Sequence, residues 1–144
     1  MPTLQLKLAG PLDEALPAVL AEELTRLSTE QLGKRQDVTA VMVEILPQGR
    51  WFIGGRPNTQ PTAWLEISIT AGTNTEMQKA AFVEAAHATL RRHLAEGQGW
   101  SEASYVIVRE LPAGDWGYGG RTQAARRVAA AEAMAATATA TPAT

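Results

Sequence analysis

The stretch ILPQGRWFIGG at residues 45–55 returns as ELPAGDWGYGG at residues 110–120. Both copies follow the pattern L-P-x-G-x-W-x-x-G-G, and they begin 65 positions apart. Four residue types that repeat in register indicate an internal duplication, and a duplication decides the fold of a short chain. The glycine pair that closes each copy is typical of a turn with positive φ, and its spacing differs from that of nucleotide-binding loops.

The similarity continues upstream of both copies. VTAVMVEI at residues 38–45 corresponds to ASYVIVRE at residues 103–110, and both are rich in residues that favour strands. A second pair of strands is indicated by the strict polar–apolar alternation of LQLKL at residues 4–8 and LEISI at residues 65–69. Each half of the chain therefore contains two predicted strands.

Between the two strands of each half lies an amphipathic segment with helical periodicity. The first predicted helix spans residues 13–32, with Asp13 as its N-cap. The second spans residues 76–96, and Thr75 and Gln78 form a capping box at its start. A helix that crosses between two strands makes those strands parallel.

These elements predict an α+β fold of two tandem β-α-β units, about residues 2–60 and 61–121. The units form one domain, residues 1–121, with a four-stranded mixed sheet and two helices on one face. The other face, with Trp51 and Trp116 near it, is left without cover, which predicts a closed oligomer.

The end of the chain differs in composition, because residues 122–144 are mostly alanine and threonine. Alanine favours helix, so residues 122–136 are predicted to be helical. From residue 137 onward the low complexity predicts disorder.

Composition limits the function classes. The chain has 144 residues, 45% hydrophobic residues, a net charge of -2 and no cysteine. No basic cluster suggests nucleic acid or an anionic membrane, and no apolar run approaches the roughly 18 residues of a spanning helix. The start of the chain does not resemble a signal peptide, so a cytoplasmic location is expected. His87 and His93 lack ligand spacing, so no metal site is predicted.

Pro2 directly follows the initiator methionine. One interpretation is structural, because proline is tolerated at the start of a strand. The other is chemical: methionine is generally trimmed before a small residue, and trimming would turn Pro2 into a free secondary amine. The residue alone does not choose between them.

With Pro2 at the head of the first strand and a glycine-rich turn after each β-α-β unit, the chain resembles the tautomerase superfamily. Its type member is 4-oxalocrotonate tautomerase, and the resemblance to the long, fused two-unit form covers residues 2–120. The resemblance implies a homotrimer of the tautomerase fold.

It also implies the chemistry of Pro2, which would act as general base and acid in keto–enol tautomerisation of a small 2-oxo or enol acid. No metal or organic cofactor is implied. A neutral amine requires a lowered pKa, which burial and nearby cations provide. Trp51 matches the position of the family's hydrophobic wall beside the proline, and packing is the alternative. Ala63, the counterpart of Pro2, lies inside the chain, so one catalytic amine per chain is expected.

The chain departs from the family at the expected arginines. The short tautomerases' loop arginine falls on Pro11 or Leu12, and their strand arginine on Ala40. In the dehalogenase branch the two arginines fall on Thr70 and Thr73, and the water-activating carboxylate falls on Tyr118. These departures argue against dehalogenase or hydratase activity.

Four other residues are candidates for substrate binding. Arg109 is in the last strand and can bind a carboxylate, although a salt bridge to Glu44 or Glu66 is the alternative. Lys7 can lower the pKa of the amine, while Tyr105 and Tyr118 offer hydroxyl donors to an enolate oxygen.

The leading hypothesis is therefore an enzyme, a cofactor-independent tautomerase that binds a small keto or enol acid. A second hypothesis is a catalytically impaired trimeric binding or scaffold protein of the same fold. A third is a proline-dependent decarboxylase or hydratase.

Overall fold

The computed structural model describes residues 1–140, and it contains the two predicted units in tandem. The first unit comprises β1 (Thr3–Gly10), α1 (Leu16–Leu32), β2 (Ala40–Pro47), β3 (Phe52–Ile53) and β4 (Arg56–Pro57). The second comprises β5 (Ala63–Thr70), α2 (Glu76–Leu94), β6 (Tyr105–Leu111), β7 (Gly117–Tyr118) and β8 (Arg121–Thr122). A third helix, α3 (Gln123–Thr139), follows the second unit.

Four long strands form one mixed sheet in the order β2-β1-β5-β6. The strands are parallel within each unit, while β1 and β5 meet antiparallel at the centre. In that central pair Leu4 faces Ile67 and Leu6 faces Leu65. An offset of 61 residues relates Leu4 to Leu65 and Leu6 to Ile67, so the two pairs exchange and the two units are related by an approximate two-fold axis. The predicted fold class is confirmed.

The core lies between the sheet and the two helices on one of its faces. Alternate residues of β1 and β5 point into it, because successive side chains of a strand face opposite ways. Buried aliphatic residues and Phe82 fill this layer: Leu4, Leu6, Leu8, Leu20, Leu24, Leu27, Leu32, Leu65, Ile67, Ile69, Leu90 and Leu94. Burial of each such side chain stabilises the fold by roughly 1.5–3 kcal/mol.

The first helix begins later than predicted, at Leu16 rather than Asp13. The Asp13 carboxylate accepts a hydrogen bond from the backbone N–H of Ala15 at 2.8 Å. Asp13 therefore forms a turn before the helix instead of capping it, and Pro17 lies in the first turn, where it is tolerated. The helix stops before Gly33, whose φ of 66° is left-handed.

The second helix has the predicted capping box of Thr75 and Gln78. It ends at Leu94, two residues before the predicted end, and a turn closed by the bond from Gln98 N–H to the Ala95 carbonyl replaces the last residues. Both glycine pairs have positive φ, between 60° and 75°, as predicted.

The tail is more helical than predicted, because α3 continues to Thr139, three residues beyond the expected end. Its first turn is capped by the Thr122 hydroxyl, which accepts from the Ala125 N–H at 3.0 Å. Disorder was predicted from residue 137 onward; residues 137–139 are instead helical, and residues 141–144 lie outside the described residues. Within residues 1–140, no helix is both long and apolar enough to cross a membrane.

Candidate active site

The antiparallel contact between the units decides which turn lies near Pro2. Leu8 of β1 faces Ala63 at the start of β5, so each central strand begins where the other ends. The β3–β4 hairpin follows β2 and lies at the end of β1, whereas the β7–β8 hairpin follows β6 and lies at the start of β1. Pro2 is therefore close to the turn of the second unit.

Pro2 is fully buried at this end of the sheet. Its carbonyl accepts a hydrogen bond from the Ala40 N–H at 3.3 Å, which joins it to the start of β2. The register of the central pair, extended beyond Thr3 and Ser68, puts Pro2 opposite Ile69. The structural role of Pro2 as the start of a strand is thus fulfilled.

The amine at the N-terminus lies in a cationic, partly buried environment. In the structure this amine belongs to Met1, and burial lowers its pKa, with further lowering by the charges of Lys34 and Arg35. Burial removes water from the ammonium form, and like charges repel it. The same surroundings would act on the Pro2 amine if Met1 were absent.

Lys34 follows the C-terminal glycine of α1 and reaches across to the second unit. Its ammonium donates to the Thr73 hydroxyl at 2.9 Å, and that hydroxyl donates to the Thr70 carbonyl at 2.6 Å. Burial and the charge of Arg127 lower the pKa of Lys34, while Glu110 opposes them. Lys34 therefore supplies a positive charge next to Thr73.

Arg35 is more exposed and already has a partner. Its guanidinium donates to the Asp37 carboxylate at 2.6 Å, and this bond raises the pKa of Arg35.

Trp116 provides the aromatic side chain at this end of the sheet. Its indole N–H donates to the Thr70 hydroxyl at 3.2 Å. Thr70 would lie opposite Met1 if the register of β1 and β5 were extended. The expectation that Trp51 lies beside Pro2 does not hold within one chain, because the two-fold relation exchanges the turns and brings Trp116 there.

Tyr118 lies in the same hairpin and is held by the start of α3. The Arg126 guanidinium lies 3.6 Å from the centre of the Tyr118 ring and donates to the Tyr118 carbonyl at 2.9 Å. This contact fixes the hairpin to α3. Of the two tyrosines predicted from the sequence, Tyr118 is therefore the one at the Pro2 end.

Lys7, Trp51 and Tyr105 lie together at the opposite end, on the sheet face that the helices do not cover. They line an open cavity of about 710 Å³. The Lys7 ammonium lies 5.3 Å from the centre of the Trp64 ring, and it is not among the cations that lower the pKa of the N-terminal amine. Within one chain, these three predicted residues therefore lie at the opposite end of the sheet from Pro2.

Arg109 also lies on the uncovered face, but at the Pro2 end. It is level with Thr3 across the sheet, since Thr3 faces Ser68 and Ser68 faces Arg109. Its guanidinium donates to the Glu66 carboxylate at 3.3 Å. The alternative interpretation of Arg109, a salt bridge to Glu66, is present within the chain.

Gln123 is the remaining polar residue at this end. It is 8% exposed, and its side-chain Nε2 has no hydrogen-bond partner within the described residues. Its backbone N–H donates to the Trp116 carbonyl at 2.9 Å, so the residue is fixed to the turn that lies near Pro2.

Sequence reasoning missed four residues of this cluster: Lys34, Arg35, Trp116 and Gln123. The signal that could have identified Trp116 and Gln123 was the repeat itself. When the first strands of two such units pair antiparallel, the turn that closes each unit lies at the start of the other unit's first strand. Lys34 and Arg35 directly follow Gly33, the predicted end of a helix, and adjacent cations at that position were a usable signal.

The two histidines contact other side chains. The indole N–H of Trp100 donates to His87 at 3.2 Å, and His93 lies 3.2 Å from the carboxylate of Glu23. Within residues 1–140, no group of three histidine or acidic side chains is close enough to hold a metal ion.

Comparisons with known proteins agree with this architecture. The model of the tautomerase enzyme family matches residues 64–126, which contain most of the second unit. The structure of a native fused 4-OT is 28% identical to the chain, covers 85% of it and 97% of its own length, and has a TM-score of 0.72. No curated protein gave a match.

Two further solved structures share the fold at lower identity. A wild-type fused 4-OT that forms a symmetric trimer is 18% identical, covers 86% of this chain and 98% of its own, and has a TM-score of 0.76. N1, a member of the cis-3-chloroacrylic acid dehalogenase family, is 21% identical, covers 82% of both chains, and has a TM-score of 0.69.

Proposed function

From the membership of this chain in the tautomerase superfamily, in its fused two-unit form, we propose that it is a tautomerase that uses Pro2. The substrate is a small 2-oxo or enol acid, and the enzyme acts after removal of Met1. The observation that carries the proposal is the partly buried, cationic environment at the start of the chain, where burial, Lys34 and Arg35 lower the pKa of the Met1 amine.

In this proposal the neutral Pro2 nitrogen removes the proton from the C2 hydroxyl of the enol. The O–H electron pair forms the C2 carbonyl, and the carbon–carbon π electrons take up a proton from the Pro2 ammonium. A base must be neutral at the working pH, so the lowered pKa of the amine is what makes the step possible. The net change is the transfer of one proton from oxygen to carbon.

Lys34 and Arg35 are proposed to bind the substrate carboxylate. Both cations are close enough to the N-terminal amine to lower its pKa, and Lys34 is held in place by Thr73. A cation next to a carboxylate forms a charge-assisted hydrogen bond, which is stronger than a neutral one. This arrangement supports an acid as substrate without the two arginines of the dehalogenase branch.

A homotrimer is proposed for the assembly, and a fused 4-OT with this fold forms a symmetric trimer. The uncovered sheet face and its rim carry large exposed apolar side chains, with exposures of 52% for Met42, 58% for Phe52 and 60% for Tyr105. Apolar area of this kind is typical of an interface. Lys7, Trp51 and Tyr105 would then contact a neighbouring copy. The cytoplasmic location expected from the sequence belongs to the same proposal.

The test is ketonisation of phenylenolpyruvate and of 2-hydroxymuconate, followed by ultraviolet absorbance. Three proteins are compared: the chain with Met1 removed, a preparation that retains Met1, and Pro2→Ala, each checked by intact mass. Retention of Met1 leaves Pro2 without a free amine, whereas Pro2→Ala keeps a free N-terminal amine but makes it primary. If the secondary amine of Pro2 is the general acid–base group, the rate of both altered proteins is expected to fall about 100-fold or more. Equal rates in all three, or no turnover in any, would leave Pro2 with its structural role and favour a binding or scaffold protein.

A further inference from the structure

We propose that Gln123 donates a hydrogen bond from its side-chain amide to the C2 oxygen of the substrate beside Pro2. This inference rests on the proposed tautomerase function and adds a residue to its site. Neither the repeat pattern nor the resemblance to the tautomerase superfamily singled out Gln123.

The first observation is an unpaired donor in a buried side chain. Gln123 is 8% exposed, and its Nε2 has no hydrogen-bond partner within the described residues. A buried donor without a partner is unfavourable, and most buried polar groups in folded proteins have a hydrogen-bond partner. An acceptor on a bound ligand would explain why the Gln123 amide is buried without a partner in the free protein.

The second observation is the counterpart of Gln123 in the first unit, Asn58, 65 positions earlier. The Asn58 backbone N–H donates to the Trp51 carbonyl at 2.7 Å, as the Gln123 N–H does to Trp116. Both side chains are buried, with exposures of 7% and 8%. The two residues therefore occupy equivalent places in the two hairpins.

The partner of Asn58 shows where the side chain of Gln123 is directed. The Asn58 Nδ2 donates to the Thr62 hydroxyl at 2.6 Å, and Thr62 directly precedes Ala63, the counterpart of Pro2. By the internal two-fold relation, Gln123 corresponds to Asn58 and Met1 corresponds to Thr62. The equivalent contact in the second unit would therefore lie at the start of β1, between Gln123 and Met1. Methionine has no hydroxyl, and so the amide of Gln123 lacks the acceptor that Asn58 has.

Removal of Met1 would vacate the position that corresponds to Thr62 and leave the Gln123 amide next to the Pro2 amine. Negative charge develops on the C2 oxygen when the enol loses its proton to Pro2. A donor already fixed at that oxygen stabilises the charge without reorganisation, which is how oxyanion donors act. Gln123 would thus bind the same atom from which Pro2 takes the proton.

The test compares Gln123→Leu with Asn58→Leu in protein that lacks Met1. Gln123→Leu is expected to lower kcat for phenylenolpyruvate about 100-fold with little change in KM, as loss of an oxyanion donor does. Its thermal midpoint should stay equal or rise, because no bond is lost in the free protein. Asn58→Leu is expected to lower the thermal midpoint, because it removes bonds to Thr62 and Gln60. An unchanged kcat in Gln123→Leu, or a kcat loss that matches a lower midpoint, would overturn the inference.

A second readout does not need turnover. The side-chain NH₂ resonances of Gln123, assigned by their absence in Gln123→Leu, are followed by NMR during titration with phenyllactate, which has a C2 oxygen but cannot tautomerise. A saturable shift supports the donor role, and no shift overturns it. If processed wild-type protein fails to ketonise either substrate, the proposed function fails, while the NMR result still decides the role of Gln123.

Discussion

The Lys34 ammonium donates to the Thr73 hydroxyl at 2.9 Å, and this contact joins the end of α1 to the loop after β5. Lys34 belongs to the first unit and Thr73 to the second, so this hydrogen bond puts a cation of one unit against the other. The positive charge at this end of the sheet therefore depends on how the two units pack.

Lys34→Met is expected to move the rising limb of the pH profile of kcat/KM to higher pH. Lys34 is one of the cations that lower the pKa of the N-terminal amine, so its removal raises that pKa. The neutral amine needed as base then appears only at higher pH. The measurement is kcat/KM against pH with phenylenolpyruvate. Lys7→Met makes the same charge change at the far end of β1 and should leave the profile in place; equal shifts in both variants would contradict this role of Lys34.

Trp116→Phe is expected to lower the free energy of unfolding by about 1 kcal/mol, because it removes the hydrogen bond from the indole to Thr70. Urea unfolding measures this loss.

Trp116→Ala should in addition reduce kcat/KM more than Trp51→Ala does, since Trp116 lies at the Pro2 end. If Trp51→Ala has the larger effect on kcat/KM, the aromatic side chain beside Pro2 comes from a neighbouring copy instead.

Met42→Glu is expected to convert the proposed trimer into smaller species. Met42 is 52% exposed on the sheet face without helices, and a charge there would be costly to bury in an interface. Met77→Glu is the matched control, because Met77 is 84% exposed in the first turns of α2. Sedimentation velocity should show the change only in Met42→Glu; a trimer that survives this substitution places the interface elsewhere.

Thr75→Ala is expected to destabilise the whole domain by about 1 kcal/mol, because it removes the cap of a helix that covers the core. Thr122→Ala removes the equivalent cap from α3. Since most of α3 is exposed, that variant should lose helical circular dichroism with a smaller change in the unfolding midpoint. Equal losses of stability in both variants would show that α3 is part of the cooperative unit.

Most of the fold could be predicted from the sequence because its signals are local and occur twice. Alternation in LQLKL and LEISI predicts the two central strands, and the structure contains the predicted capping box at Thr75. The wrong predictions concern helix ends, because only a few hydrogen bonds determine where a helix begins or ends. Asp13 formed a turn with Ala15 instead of a cap, and the alanine-rich tail remained helical to Thr139.

The site could be predicted only in part. Pro2 follows from its position in the chain, and Tyr118 lies in the hairpin at the same end of the sheet. Trp51 and Lys7 were assigned to the same site because they belong to the same unit as Pro2. The structure places them at the other end of β1, in the cavity with Tyr105.

The sequence by itself determined the elements, their duplication and the position of the one proline that can become an N-terminal amine. These depend on periodicity and on turn residues, which act over a few positions. Only the tertiary structure decided which residues surround that amine. The antiparallel contact between β1 and β5 puts the hairpin of Trp116 and Gln123 at the same end of the sheet as Pro2, and puts Trp51 at the other end. Which hairpin lies near the amine depends on how the two units pack against each other, and no local sequence pattern in either unit contains that information.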